Sequence, residues 1–193
     1  AIAFSVAAYF FMGEIKRKGL PPDLGIKLTL ISVVGGVVGA RLLSLLENWN
    51  AFLRDPVAMA LSSGGFTFYG GLLLVIATGY LYLRKRKIRF LPVMDCVVPS
   101  LLIAYGIARI GCHLSGDGDY GYPTTLPWGT DYSQGTSPPS LAFRNIPEIA
   151  SRYPGGTVPD HTPCDPVPIY EFLICAGLFS IFWRARKNIR PDG

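Results

Sequence analysis

The stretch Arg109-Ile-Gly-Cys112-His113-Leu-Ser-Gly116-Asp117-Gly-Asp119-Tyr-Gly121 gathers a guanidinium, a thiol, an imidazole and two carboxylates into the densest polar passage of an otherwise apolar chain. Arg109 and His113 stand four positions apart, on one face of a helix. A guanidinium presents a planar fork of donors that matches phosphate, and an imidazole with an ordinary pKa of about 6.5 exchanges protons near neutrality. Gly116 and Gly121 let the backbone turn sharply and approach a ligand closely. The Asp117-Gly-Asp119 spacing could open a calcium loop, but the remaining ligands of such a loop, including its late Glu, are missing. No metal and no cofactor is expected.

Two further segments carry candidate groups. Ser63-Gly-Gly-Phe-Thr-Phe-Tyr69-Gly70-Gly71 opens one apolar run, and Pro166-Val-Pro-Ile-Tyr170-Glu171 opens another. Proline just before a helix is expected on backbone grounds, whereas Glu171 beside an apolar run is not explained by packing. Arg41 sits inside a third run behind Gly35, Gly36 and Gly39. An arginine in an apolar span is a functional candidate by default. Arg109 could instead snorkel to the interface, and the glycines before Arg41 fit close helix packing at least as well as catalysis.

The elements that hold these groups follow from composition. Of 193 residues, 50% are hydrophobic and only 16% charged, which excludes an ordinary soluble enzyme. The net charge of +5 would invite a nucleic-acid reading if the cations formed a face. They fall instead in short runs flanking apolar stretches, so no nucleic acid is expected. Apolar runs over 28–46, 66–83, 96–114 and 169–183 approach the roughly twenty residues that cross a hydrocarbon core, and 1–12 forms a partial fifth. The expected fold is all-α: a single polytopic membrane domain over 1–193, with about five helices in hand.

Cations concentrate at Lys16 to Lys27, Arg84 to Arg89 and Arg184 to Arg190, which marks those ends as cytoplasmic. The alternate connections, including the long segment 115–168, then face outward. That segment is rich in Pro, Gly, Ser, Thr and Tyr and shows no sustained helical period beyond a short helix near Asn145 to Ala150. Its aromatics, among them Tyr120, Tyr122, Trp128, Tyr132 and Tyr153, predict an ordered cap at headgroup level. All three polar segments open toward this outward side, so Tyr69, Arg109, Asp117, Asp119, Tyr170 and Glu171 are expected around one outward-facing cavity.

With these motifs in place, the chain resembles the bacterial prolipoprotein diacylglyceryl transferases over nearly its whole length. The family pattern Gly-Gly-Met-Ser-Phe-His-Gly-Gly is similar to Gly64-Gly-Phe-Thr-Phe-Tyr69-Gly70-Gly71. The signature Gly-Arg-x-Gly-Asn-Phe-x-Asn-Gly-Glu-x-x-Gly is similar to Ala108-Arg109 through Gly121, with one extra residue. His-Pro-(Ser/Thr)-x-Leu-Tyr-Glu matches Asp165-Pro-Val-Pro-Ile-Tyr170-Glu171, and Gly-x-Arg matches Gly39-Ala-Arg41.

The resemblance implies a multi-pass enzyme of the bacterial inner membrane, with seven spans in full and its active-site mouth on the periplasmic or outer side. It implies transfer of a diacylglyceryl group from phosphatidylglycerol to the lipobox cysteine of a preprolipoprotein by a monomer. Arg109, Tyr69, His113, Asp117 and Asp119 are then the candidate catalytic residues. Gly70, Gly71, Gly116, Gly121, Tyr170, Glu171 and Arg41 are the candidates for substrate binding. Asp117 or Asp119 stands in place of the family's Glu. The chain departs from the pattern at Tyr69, where the family has histidine, and at Cys112, where it has asparagine. It is expected to be truncated at both ends, so that the family's later essential arginine lies beyond residue 193.

Several alternatives stay open. The thiol's base is either His113 or no dedicated group. Cys112 and Cys164, both outward, are either a disulfide or two free thiols. A paralogue with an altered acceptor, or a non-catalytic binder of phospholipid or lipoprotein on the same scaffold, competes with the transferase reading.

Overall fold

The computed structural model describes residues 2–61 and 65–188. It contains nine α-helices among those residues: α1 (Ile2–Arg17), α2 (Pro22–Glu47), α3 (Trp49–Arg54), α4 (Pro56–Leu61), α5 (Phe68–Lys85), α6 (Phe90–Ser115), α7 (Pro139–Ala142), α8 (Pro147–Ala150) and α9 (Val167–Ala185). A 3-10 turn covers Pro154–Gly156. No strand occurs among the described residues; the only sheet-like pairing is a pair of isolated bridges from Cys164 to Pro123 and Thr130. The protein is an all-α polytopic membrane protein.

The span count differs from the five expected. Among the described residues, three helices, α2, α6 and α9, are long and apolar enough to cross a membrane. α1 has 16 residues, and α5 reaches 18 only by including Arg84 and Lys85. Apolar content had set the expected boundaries, but helices continue as long as their backbone bonds can close. α2 therefore begins six residues early at Pro22, where the missing proline N–H costs nothing and Asp23 favours the helix N-terminus. Val34, Leu101 and Leu173, on α2, α6 and α9, are each more than half exposed, as the lipid-facing surface of a membrane helix is.

The chain forms two compact units. In the unit built on Ala8–Val97, α2 and α5 cross at glycines. A Cβ on Gly39 would collide with the Gly70 carbonyl, and one on Gly71 would come within 2.7 Å of the Gly36 carbonyl oxygen. Small residues thus bring two backbones together where side chains would hold them apart. Beyond the crossing lies an apolar core of Phe11, Ile15, Leu24, Leu28, Leu83, Val93 and Cys96. Ion pairs lock this cation-rich end: Glu14, buried, with Arg17 at 2.7 Å, Lys18 with Asp95 at 3.0 Å, and Asp23 with both Lys27 and Arg86.

The other unit, from Val98 onward, holds the rest of α6, the long loop and α9. α6 and α9 approach at Gly106, where a Cβ would lie 2.9 Å from that of Cys175. The loop has a core of its own in Tyr120, Tyr132, Phe143, Ile149, Val158 and Cys164. Tyr120 and Tyr132 stack with centroids 4.1 Å apart, and the Tyr120 hydroxyl donates to the Ser137 carbonyl at 2.6 Å. The expected ordered cap is thus present, built by aromatic burial and turns. Of the helix expected near Asn145 to Ala150, α8 supplies the last turn, and α7 adds another.

Candidate functional site

Arg109 lies six residues before the end of α6, so its side chain emerges where the helix meets the loop. Its Nε donates to Glu171 Oε2 on α9, and its Nη1 is paired with Asp119 Oδ2 in the loop. Nη2 also donates to the Asp119 carbonyl at 3.3 Å, and Nη1 reaches Cys112 Sγ at 3.5 Å. Three segments of chain therefore meet on one guanidinium. That side chain is only 12% exposed, against 59% for Asp119 and 33% for Glu171. Tyr105, one helical turn before Arg109, donates from its hydroxyl to the same Glu171 oxygen at 3.4 Å.

The backbone after α6 is shaped to deliver Asp119. Gly116 and Gly118 take positive φ of 55° and 93°, conformations that side-chain-bearing residues rarely adopt. Gly116 also packs against Gly135, where a Cβ would meet the Gly135 Cα at 2.7 Å. The segment 135–137 pairs with this exit: Thr136 N donates to the Ser115 carbonyl and Ser137 N to that of Gly116, both at 2.8 Å. Asp117 then accepts the Asp119 amide at 3.3 Å, which fixes the turn. Gly121 donates its N–H to the Asp165 carbonyl and has Val167 against its α-carbon, tying the loop's start to the start of α9. The arrangement thus has Gly116 and Gly121 serving backbone contacts within the loop.

Tyr170 points to the loop. Trp128 Nε1 donates to its hydroxyl at 2.6 Å, and that hydroxyl lies 3.5 Å from Asp165 Oδ1. His113 is held by the loop core: its Nδ1 is 2.8 Å from the hydroxyl of Tyr132, whose ring stands edge-on to the imidazole. Tyr132 is 4% exposed, and burial raises its hydroxyl pKa. The sequence spacing placed His113 with Arg109; in the structure each has its own set of partners.

Cys112, Asp117 and Asp119 place ligand atoms within 4.8 Å of one another. The cation among them is Arg109, which bonds both Cys112 and Asp119. The Cys112–Cys164 bridge left open by the sequence is not formed, since all four cysteines are free. Cys164 is instead fully buried in the loop core, donates to the Thr162 carbonyl at 3.4 Å, and has its thiol pKa pushed up to about 11 by burial.

Arg41, Tyr69, Gly70 and Gly71 belong to the unit built on Ala8–Val97. Gly70 and Gly71 form the α2–α5 crossing. Arg41 Nη1 donates to the Gly65 carbonyl at 3.0 Å and Nη2 to that of Met59, with the guanidinium carbon 5.3 Å from the centroid of Phe66. Tyr69 is 68% exposed and meets Phe68 edge-on. Ser63 and Gly64 lie outside the described residues.

Sequence reasoning missed Tyr105 and the pinning role of Trp128. The four-residue spacing of Tyr105 from Arg109 was a usable signal, because it puts the two on one helical face. Nothing in the order of residues foretold the Trp128–Tyr170 bond across 42 positions.

A family model described as prolipoprotein diacylglyceryl transferase matches residues 1–193. The phosphatidylglycerol–prolipoprotein diacylglyceryl transferase of Leptospira interrogans is 31% identical, with 98% of this chain and 61% of the relative covered. That of Clostridium tetani is 28% identical over 97% and 67%, and that of Coxiella burnetii 30% identical over 99% and 64%. The chain spans about three fifths of the length of the first of these relatives. It belongs to the prolipoprotein diacylglyceryl transferase family.

Proposed function

We propose that the protein transfers the diacylglyceryl group of phosphatidylglycerol to the lipobox cysteine of preprolipoproteins, acting as a monomer in the bacterial inner membrane. Its loop and the Arg109 cluster face the outer side, as the cation-rich ends of the helices support. The observation that carries this reading is the convergence of α6, α9 and the loop on the Arg109 guanidinium, a phosphate-matching group at the polar end of an apolar span.

In the proposed reaction the substrate thiolate attacks the terminal glyceryl carbon of the lipid. A C–S bond forms, the C–O bond to phosphate breaks, and the electron pair leaves on the phosphate oxygen as glycerol phosphate. The enzyme's task is to stabilise that departing charge. Arg109 already faces two carboxylates, so an incoming phosphate must take the place of one. Asp119, the more exposed and carried on the loop, is the one displaced, while Glu171 keeps the guanidinium aimed. The thiol's proton leaves to the aqueous side past Asp117 and the released Asp119. Gly70, Gly71, Gly116 and Gly121 serve binding indirectly, by fixing the helices and the loop, and Tyr170 serves through its bond to Trp128. Arg41 and Tyr69 are assigned to lipid and acceptor contact.

The test is incubation of the purified full-length protein with phosphatidylglycerol and a lipobox peptide, followed by mass spectrometry. A peptide mass gain equal to one diacylglyceryl group, absent in Arg109→Ala, is expected. No gain with the unaltered protein overturns the reading and favours an altered-acceptor or binding role, for which the exposed Tyr69 in place of the family histidine is the supporting observation.

A further inference from the structure

A second cluster of cations lies in the unit built on Ala8–Val97, where α5 ends and α6 begins. A groove of about 530 Å³ is lined there by Tyr80, Leu83, Arg84, Ile88, Arg89, Phe90 and Leu91. Tyr80, Leu83 and Arg84 are spaced three and four apart, on one face of α5. Tyr80 and Phe90 meet edge-on with centroids 5.6 Å apart, and Leu83 is fully buried beneath them. Arg84 and Arg89 are exposed at the rim.

No carboxylate lines the groove. The acids of this end are committed elsewhere: Glu14 to Arg17, Asp95 to Lys18, and Asp23 to Lys27 and Arg86. Among the described residues, neither Arg84 nor Arg89 has a side-chain hydrogen bond or ion pair. The first turn of α6, at Phe90 and Leu91, adds the partial positive charge of a helix N-terminus to the same wall.

The turn itself is held in a costly conformation. Lys87 N donates to the Arg84 carbonyl and Ile88 N to the Leu83 carbonyl, which closes the end of α5 with residue 87 in the left-handed region, φ 55°. Glycine is the residue that adopts this conformation without penalty. The chain instead places a cation there, between Arg84 and Arg89.

We infer that this groove binds the phosphate headgroup of an anionic phospholipid from the leaflet at the cation-rich end, with Arg84 and Arg89 on the phosphate and Ile88 and Leu91 against the acyl chains. The commitment to lipid rests on the pairing of charge with apolar wall at the end of a membrane helix. A basic pocket in that position suits an anionic headgroup. The inference needs only the membrane placement of α5 and α6, so it stands or falls independently of the transfer reaction.

The test uses the purified full-length protein in phosphatidylcholine vesicles carrying a trace of photoactivatable phosphatidic acid or, separately, photoactivatable phosphatidylcholine, with labelled peptides mapped by mass spectrometry. Phosphatidic acid is expected to label the segment 80–91 at least about fivefold more than phosphatidylcholine does, and Arg84→Gln with Arg89→Gln to remove that preference. Inorganic phosphate at millimolar concentration is expected to leave the labelling unchanged. Equal labelling by the two lipids in the unaltered protein, a comparison that needs no variant, overturns the inference. So does loss of labelling to inorganic phosphate, which would mark a site for a free anion.

Discussion

Arg109 and Glu171, 62 positions apart, are joined by a hydrogen bond from Nε to Oε2 that ties α6 to α9 at the polar end of both helices. Because Nε is taken, the two terminal nitrogens remain for Asp119 and for whatever replaces it. Arg109→Ala is expected to lower transfer by about a hundredfold or more, the range for losing a donor to a developing anion. Arg109→Lys should recover little, since lysine keeps the charge and loses the fork. Steady-state transfer to a lipobox peptide checks both, and turnover near the unaltered rate in Arg109→Ala would place the phosphate elsewhere.

Asp119 and Glu171 should separate kinetically. Asp119→Asn removes a competitor for the phosphate position, so KM for the lipid is expected to fall several-fold with kcat changed less. Glu171→Gln frees the guanidinium to wander and is expected to lower kcat with KM nearly constant. The reverse pattern would mean that Asp119 aims Arg109 and Glu171 yields.

His113 is anchored to Tyr132, so its expected role is structural. His113→Asn and Tyr132→Phe should each weaken the loop by about 1 kcal/mol, the worth of a typical net hydrogen bond. Both should lower deuterium-exchange protection over residues 120–164. Neither should remove a dependence of transfer rate on a group titrating between pH 6 and 8. Loss of such a dependence in His113→Asn alone would restore the imidazole as the base, and a rate gain in Tyr69→His would identify position 69 as the place where one was lost.

The exposed pair His161–Asp131, 3.0 Å apart, gives the loop a pH response. Its hydrogen bond to Asp131 raises the His161 pKa above 6.5. The same bond, with help from the Ser133 amide, holds Asp131 down to about 2. The histidine's contribution is fully present below pH 6.5 and is lost as pH rises through its raised value. The aspartate's is present above 3.8 and is lost as pH falls through about 2. Protease resistance of the loop should therefore be greatest between pH 3.8 and 6.5 and decline toward pH 8, with the decline absent in His161→Asn.

Gly70→Ala is expected to destabilise the protein by about 1–3 kcal/mol or more, because its Cβ would press on the Gly39 carbonyl and Leu43. Gly79→Ala, with open space around it on the same helix, should be neutral. Thermal unfolding in detergent compares the two, and equal midpoints would show that α2 and α5 can part without cost.

Composition made the membrane helices legible because lipid demands long apolar runs, and it misjudged their ends because Asp23, Lys27, Arg84 and Lys85 continue helices that hydropathy alone would stop. Arg109 and Glu171 were visible as polar residues within apolar runs, and Asp119 as one just beyond a run. Their meeting was legible only as a shared membrane side, since motif order carries no distances. The loop was hardest to read: a core made by stacking Tyr120 on Tyr132 leaves no period in the sequence, and His113 looked like a partner of Arg109 because helical spacing ignores what a neighbouring loop offers.

The loop's private core also sets an order of events during biosynthesis. Asp119 enters the chain before the residues that shape its turn, Gly135 to Ser137, and Glu171 follows only after the whole loop has been made. A nascent chain that has emitted α6 but not α9 therefore carries Arg109 without the carboxylate that ties it to α9. The residues of the loop core all precede α9 in the chain, so the site is complete only when Glu171 arrives on α9, which packs against α6 at Gly106. Until Glu171 arrives, the guanidinium lacks one of the two carboxylates that occupy it.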